Sequence, residues 1–99
     1  RNASRKNAHQ IRSLAVTVLS EDAVTVGTFR KENQNSVLYF TAKWCPPCKA
    51  IAPIYSALSD KHPTIAFGKI DVDGYADAAA EADITAVPTF MIYNGNDIT

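Results

Sequence analysis

The only two cysteines of the chain stand three positions apart, in Trp44-Cys45-Pro46-Pro47-Cys48-Lys49. Two thiols at this spacing can close a disulfide within one helical turn and reopen it. A sulfur at a helix N-terminus also faces unpaired backbone N–H groups and the positive end of the helix dipole, both of which favour its thiolate. The chemistry this arrangement suits is thiol–disulfide exchange. The loop it closes is too short to constrain an unfolded chain much, which favours a reactive over a structural role. Two rivals stay open: a pair that merely packs in a core, and a zinc site. For zinc, His9 and His62 lack the spacing that would complete four ligands.

The pair needs a scaffold, and the chain has room for one. Its 99 residues are 46% hydrophobic and 20% charged, the profile of one globular domain with one core. A formal net charge of zero argues against a nucleic-acid partner, because no excess of Lys and Arg would neutralise phosphates. No apolar run approaches the roughly 20 residues of a membrane span, so no membrane role is expected. Charge is uneven, however. Arg1, Arg5, Lys6 and Arg12 all precede the first acid, Glu21. Residues 1–13 are therefore expected to be a flexible basic extension, and 14–99 the domain. An acid-poor, Arg-bearing leader also suits an organelle-targeting segment. Cytoplasm is the first expectation for location, and the mitochondrion the alternative. The chain does not begin with Met, so a processed or excised piece is expected. Asn2-Ala3-Ser4 is a single, weak match to the glycosylation sequon.

Periodicity supplies the elements. Leu14 to Leu19 is β-branched and apolar, predicting a first strand. Ser20 is the expected N-cap of a helix running to about Glu32, with Glu21 and Asp22 at its positive end. Asn33-Gln34-Asn35 turns into a strand over Ser36 to Phe40. After the cysteines, Ile51, Ile54, Tyr55 and Leu58 form the expected core stripe of a helix that ends at His62-Pro63 and is kinked by Pro53. Ile65 to Asp71 reads as a third strand, Tyr75 to Ala82 as an Ala-rich helix, and Thr89 to Tyr93 as a fourth strand. Asn94-Gly95 is a hairpin signal that implies a fifth, antiparallel strand. Alternating strands and helices predict an α/β sheet covered on both faces.

These residues resemble the thioredoxin family. The resemblance covers about Leu14 to Thr99 and rests on four features: Trp44-Cys45-x-Pro47-Cys48-Lys49, Pro53, Lys69-Ile70-Asp71-Val72-Asp73, and Val87-Pro88-Thr89 at a typical separation from Cys45. It implies a thioredoxin fold, a central mixed sheet flanked by helices, that lacks the last strand and helix. It also implies that the chain is a fragment, or that self-association covers the exposed sheet edge. Two departures stand out. The family's glycine between the cysteines is Pro46, as in tryparedoxin-like and nucleoredoxin-like variants. The family's buried aspartate, six positions before the first cysteine, is Tyr39.

The resemblance implies a protein-disulfide reductase. Cys45 attacks a client disulfide, Cys48 is the deeper, resolving thiol, and a reductase of the thioredoxin-reductase type, or another dithiol, restores the pair. No bound cofactor is needed, since the sulfurs carry the electrons. Pro88 is expected to be cis, with Val87 offering backbone groups to an extended client, and Trp44 and Ala86 rimming the contact surface. With prolines at 46 and 47, the Cys48 amide is the nearest donor left for the Cys45 sulfur. Pro47 also disfavours the helical region at Pro46, so the helix is expected to start at Pro47. A tyrosine hydroxyl is a poor base at neutral pH. Either Lys69 and water handle the resolving thiol's proton, or Tyr39 is simply a packed strand residue. Lys43 and Lys49 flank the site as a solvated, basic rim. The rivals are an oxidase or isomerase, and a non-catalytic binding module of the same fold.

Overall fold

The computed structural model describes residues 16–95 and 97–98. The elements run β1 (Val16–Val18), α1 (Val26–Glu32), β2 (Asn35–Thr41), α2 (Pro46–Lys61), β3 (Ala66–Asp71), α3 (Ala76–Glu81), β4 (Thr89–Asn94) and β5 (Asp97–Ile98). The expected basic extension, the sequon and Leu14 lie outside the described residues.

The sheet order is β1-β3-β2-β4-β5. β3 lies parallel to both β1 and β2, β4 runs antiparallel to β2, and β5 antiparallel to β4. The hairpin promised by Asn94-Gly95 forms: Gly95 takes φ +67, a left-handed conformation that glycine adopts without a Cβ penalty, and Asn94 pairs with Asp97. Two residues of the fifth strand are therefore in place.

Alternation along the central strands sends side chains to two separate cores. One holds Leu19, Phe29, Leu38, Phe40, Ile70, Tyr75, Ala78 and Tyr93, beneath α1 and α3. The other holds Tyr39, Phe67 and Tyr55 together with Ala42, Cys45 and Cys48. Gly68 has no side chain for a reason: a Cβ there would lie 2.8 Å from Leu19 Cδ1 and 2.9 Å from Leu38 Cδ2.

Three expectations are corrected. Ser20 caps no helix; it accepts from the Ala23 amide within a turn, and Thr25 caps α1 through the Thr28 amide. The acids at 21 and 22 belong to that turn, where the Ser20 amide donates to the Val24 carbonyl. The start of α2 is Pro46, not Pro47. Two prolines fit there because the first helical residues need no N–H of their own, and this outweighs the bias of a following proline against helical geometry. The buried face of α2 is carried by Cys48, Tyr55 and Ser59, while Ile54 and Leu58 are 60% and 42% exposed. The helix is rotated from the predicted stripe because Cys48 must face inward to meet Cys45, and Tyr55 follows it two turns later.

Candidate active site

The site lies where β2 ends. A run of buried residues, Leu38 to Ala42, drives this strand through the centre of the sheet and delivers the chain to the mouth of α2. Thr41 accepts from the Val72 amide at 2.9 Å, so β2 and β3 stay joined up to their ends. The chain then turns, the Cys45 amide donating to the Ala42 carbonyl at 3.2 Å.

Cys45 is the N-cap of α2, in extended geometry, and its sulfur accepts from the Cys48 amide at 3.3 Å. This is the single donor that prolines at positions 46 and 47 leave to it. An N-cap side chain ordinarily accepts from the second or third helical N–H. Here the second belongs to Pro47 and does not exist. Cys45 and Cys48 are joined as a disulfide, with their Cα atoms 5.3 Å apart.

The expected contrast between a reachable Cys45 and a deeper Cys48 is absent from this oxidised form, where they are 3% and 2% exposed. Ala42, Tyr39 and the half-buried Val87 pack with the closed bridge. The neighbours differ instead. Cys48 lines an open groove of about 540 Å³ together with Val18, Thr41, Ala42, Lys43, Lys49, Ala52, Lys69 and Asp71.

Tyr39 is buried directly beneath. Its ring stacks on Phe90 with centroids 4.9 Å apart and meets Tyr55 at the same separation. Its hydroxyl donates to the Cys48 carbonyl at 2.9 Å, so it braces the first turn of α2 and does not address the sulfur. Lys69 is its register partner on β3 and is half-buried at the groove. Tyr55 donates to the carbonyls of Gly68 and Val37, at 2.7 and 3.1 Å, tying α2 to the sheet. Burial pushes the Tyr55 phenol well above its ordinary pKa.

Val87–Pro88 is a cis peptide bond, as expected, and Ala86 beside it is exposed. Trp44 is 66% exposed, and its indole N–H donates to Asp73 Oδ2 at 2.9 Å. Asp73 is a site residue that sequence reasoning missed, as is Asp71. No local signal marks them: Thr41 and Asp71 are register partners, and this pairing makes the segments that follow them emerge side by side. Pro46, Pro47 and Lys49 are exposed around the mouth of the helix. Among the described residues no group of His, Cys, Asp and Glu side chains could hold a metal.

Sheet order, cysteine pair and cis-proline loop together define a class: a mixed-sheet α/β domain presenting a two-cysteine disulfide at a helix mouth. The family model described as Thioredoxin matches residues 16–99, and the chain belongs to the thioredoxin family. A thioredoxin H-type protein of Brassica campestris is 46% identical over 68 residues, 69% of this chain and 55% of that protein. A thioredoxin-like protein of Fusarium culmorum is 55% identical over 60 residues, 58% of this chain and 50% of its own length. The chain spans about half the length of these curated relatives. Among solved structures, oxidised mitochondrial thioredoxin 3 of Saccharomyces cerevisiae superposes with a TM-score of 0.75 at 33% identity, covering 90% of this chain and 83% of the other. Oxidised thioredoxin O2 of Arabidopsis thaliana gives 0.76 at 33% identity, over 93% and 83%. The expected thioredoxin fold is the fold observed.

Proposed function

We propose that this chain carries out protein-disulfide reduction through Cys45 and Cys48. The observation that carries the reading is the closed Cys45–Cys48 bridge at the N-cap of α2, with the Cys48 amide on the Cys45 sulfur. In the dithiol form that amide and the helix dipole favour a Cys45 thiolate. The thiolate attacks one sulfur of a client disulfide, and the other client sulfur leaves with the electron pair. Cys48, losing its proton, then attacks Cys45; the bridge closes and the client leaves as a dithiol. A second dithiol, of the thioredoxin-reductase type, returns two electrons. The sulfurs carry those electrons themselves, so the scheme calls for no bound cofactor.

Trp44, Ala86, Val87 and Pro88 are the surface we assign to an extended client, supported by the exposure of Trp44 and Ala86 and by the contact of Val87 with the cysteine cluster. Pro46 and Pro47 limit the donors at the mouth, Tyr39 braces it, and Lys69 borders the groove. An insulin-reduction assay with a Cys45→Ser control tests the proposal. Turnover that depends on Cys45 supports it; equal turnover by both forms favours a binding module, a reading that the burial of both cysteines keeps in view. The potential of the pair against glutathione separates a reductase from an oxidase or isomerase. For location we propose a reducing compartment, the cytoplasm first. The mitochondrion is the alternative, on the basic leader and the likeness to a mitochondrial thioredoxin, and fractionation of a tagged full-length protein decides.

A further inference from the structure

The resolving step raises a question of proton traffic. Cys48 must lose its thiol proton before its sulfur can attack Cys45, and some group must receive that proton. Tyr39 is near, but its hydroxyl is committed as a donor to the Cys48 carbonyl. An open groove lined by Cys48 runs along β1, β3 and the first turns of α2. Its apolar walls are Val18, Ala42 and Ala52, and its 540 Å³ accommodates several waters at about 30 Å³ each.

The charged groups facing this groove are Lys43 from the turn after β2, Lys49 from α2, and Lys69 and Asp71 from β3. Asp73, just beyond, is engaged by the Trp44 indole. An ammonium has no lone pair to receive a proton, whereas a carboxylate does. Asp71 is the one carboxylate lining the groove with Cys48. It is half-buried, and being two residues from Lys69 on β3 it shares that residue's face of the strand. Its Oδ1 accepts from the Asp73 amide at 3.0 Å, which holds the carboxylate in place.

We propose that this groove is the exit path for the Cys48 proton and that Asp71, through water, is its acceptor. The proposal rests on the reductase reading above. The thiol proton passes by water to the Asp71 carboxylate and on to bulk solvent. The Cys48 sulfur then bonds to Cys45, the bond from Cys45 to the client sulfur breaks, and that sulfur leaves with the electron pair. Lys69, Lys43 and Lys49 favour the transient Cys48 thiolate from the groove walls.

The test follows 5,5′-dithiobis(2-nitrobenzoate) reacting with the reduced full-length protein by stopped flow. The first equivalent of chromophore reports attack by Cys45, and the second reports closure by Cys48. Asp71→Asn keeps the amide contact through its side-chain oxygen but cannot take the proton. The expected result at pH 7 is a second phase slowed by about 100-fold, the lower end of general-base effects, recovering as pH rises and solvent base takes over. Asp71→Glu is expected to restore most of the rate. A merely electrostatic role gives the opposite sign, since removing a negative charge beside three lysines favours the Cys48 thiolate. A second phase unchanged or faster in Asp71→Asn therefore overturns the proposal. If the unsubstituted protein shows no second phase at all, the reductase reading falls, and the proposal with it.

Discussion

Replacing Pro47 by alanine would give the Cys45 sulfur a donor that the native chain denies it. The N-cap geometry allows the second and third helical amides to reach the capping side chain. The third, from Cys48, already lies 3.3 Å from the sulfur, while the second is the proline nitrogen of residue 47. A hydrogen bond to a charged acceptor contributes about 1.5–3 kcal/mol. At a site shared with an existing donor we take a value just below that range, about 1.4 kcal/mol, which is one pKa unit of thiolate stabilisation. Pro47→Ala is thus expected to lower the Cys45 thiol pKa by about one unit. Stabilising the reduced form also moves the potential of the pair by up to about 30 mV in the oxidising direction. Pro46→Gly is the internal control: it restores only the first helical amide, which does not reach the cap, and should leave the pKa in place. The pH dependence of thiol alkylation reads the pKa, and equilibration with glutathione reads the potential. If the two substitutions move the pKa equally, or Pro47→Ala raises it, the donor argument is wrong.

Tyr39→Phe keeps the stack on Phe90 and deletes the bond to the Cys48 carbonyl; a loss of about 1–1.5 kcal/mol in urea unfolding is expected, with resolving rates changed less than about threefold. A tenfold loss of rate would place the phenol in the proton path instead. Gly68→Ala forces a methyl against Leu19, Leu38 and Phe29 in the core under α1, and a cost of about 1–3 kcal/mol is expected by the same measurement. The Tyr55 phenol, raised by burial, stays protonated in the fold above its ordinary value of 10.0, where the unfolded chain ionises. Stability should therefore hold up to about pH 10 and fall above it, and Tyr55→Phe should flatten that fall. A slope unaffected by the substitution would assign the alkaline loss to other groups.

Local pattern carried the redox pair, the order of strands and helices, and the hairpin at Asn94-Gly95. Each of these depends on neighbours within a few residues: a turn of helix for the cysteines, alternation for β2 and β3, a left-handed glycine for the turn. The scarcity of donors around Cys45 was legible for the same reason, since two consecutive prolines remove their amides whatever the fold. The rotation of α2 was not legible. Ile54 and Leu58 look like core residues at helical spacing, and only the inward demand of Cys48 and the two bonds from Tyr55 to the sheet set which face is buried. The stack of Tyr39 on Phe90 arises from antiparallel pairing of β2 with β4, and its bond to the Cys48 carbonyl from the seat of α2 on the sheet. The hold of Asp73 on Trp44 and the place of Asp71 in the groove that Cys48 lines arise from parallel pairing of β2 with β3. That pairing joins segments roughly thirty residues apart, and the hydrogen bonds that create it belong to neither segment alone.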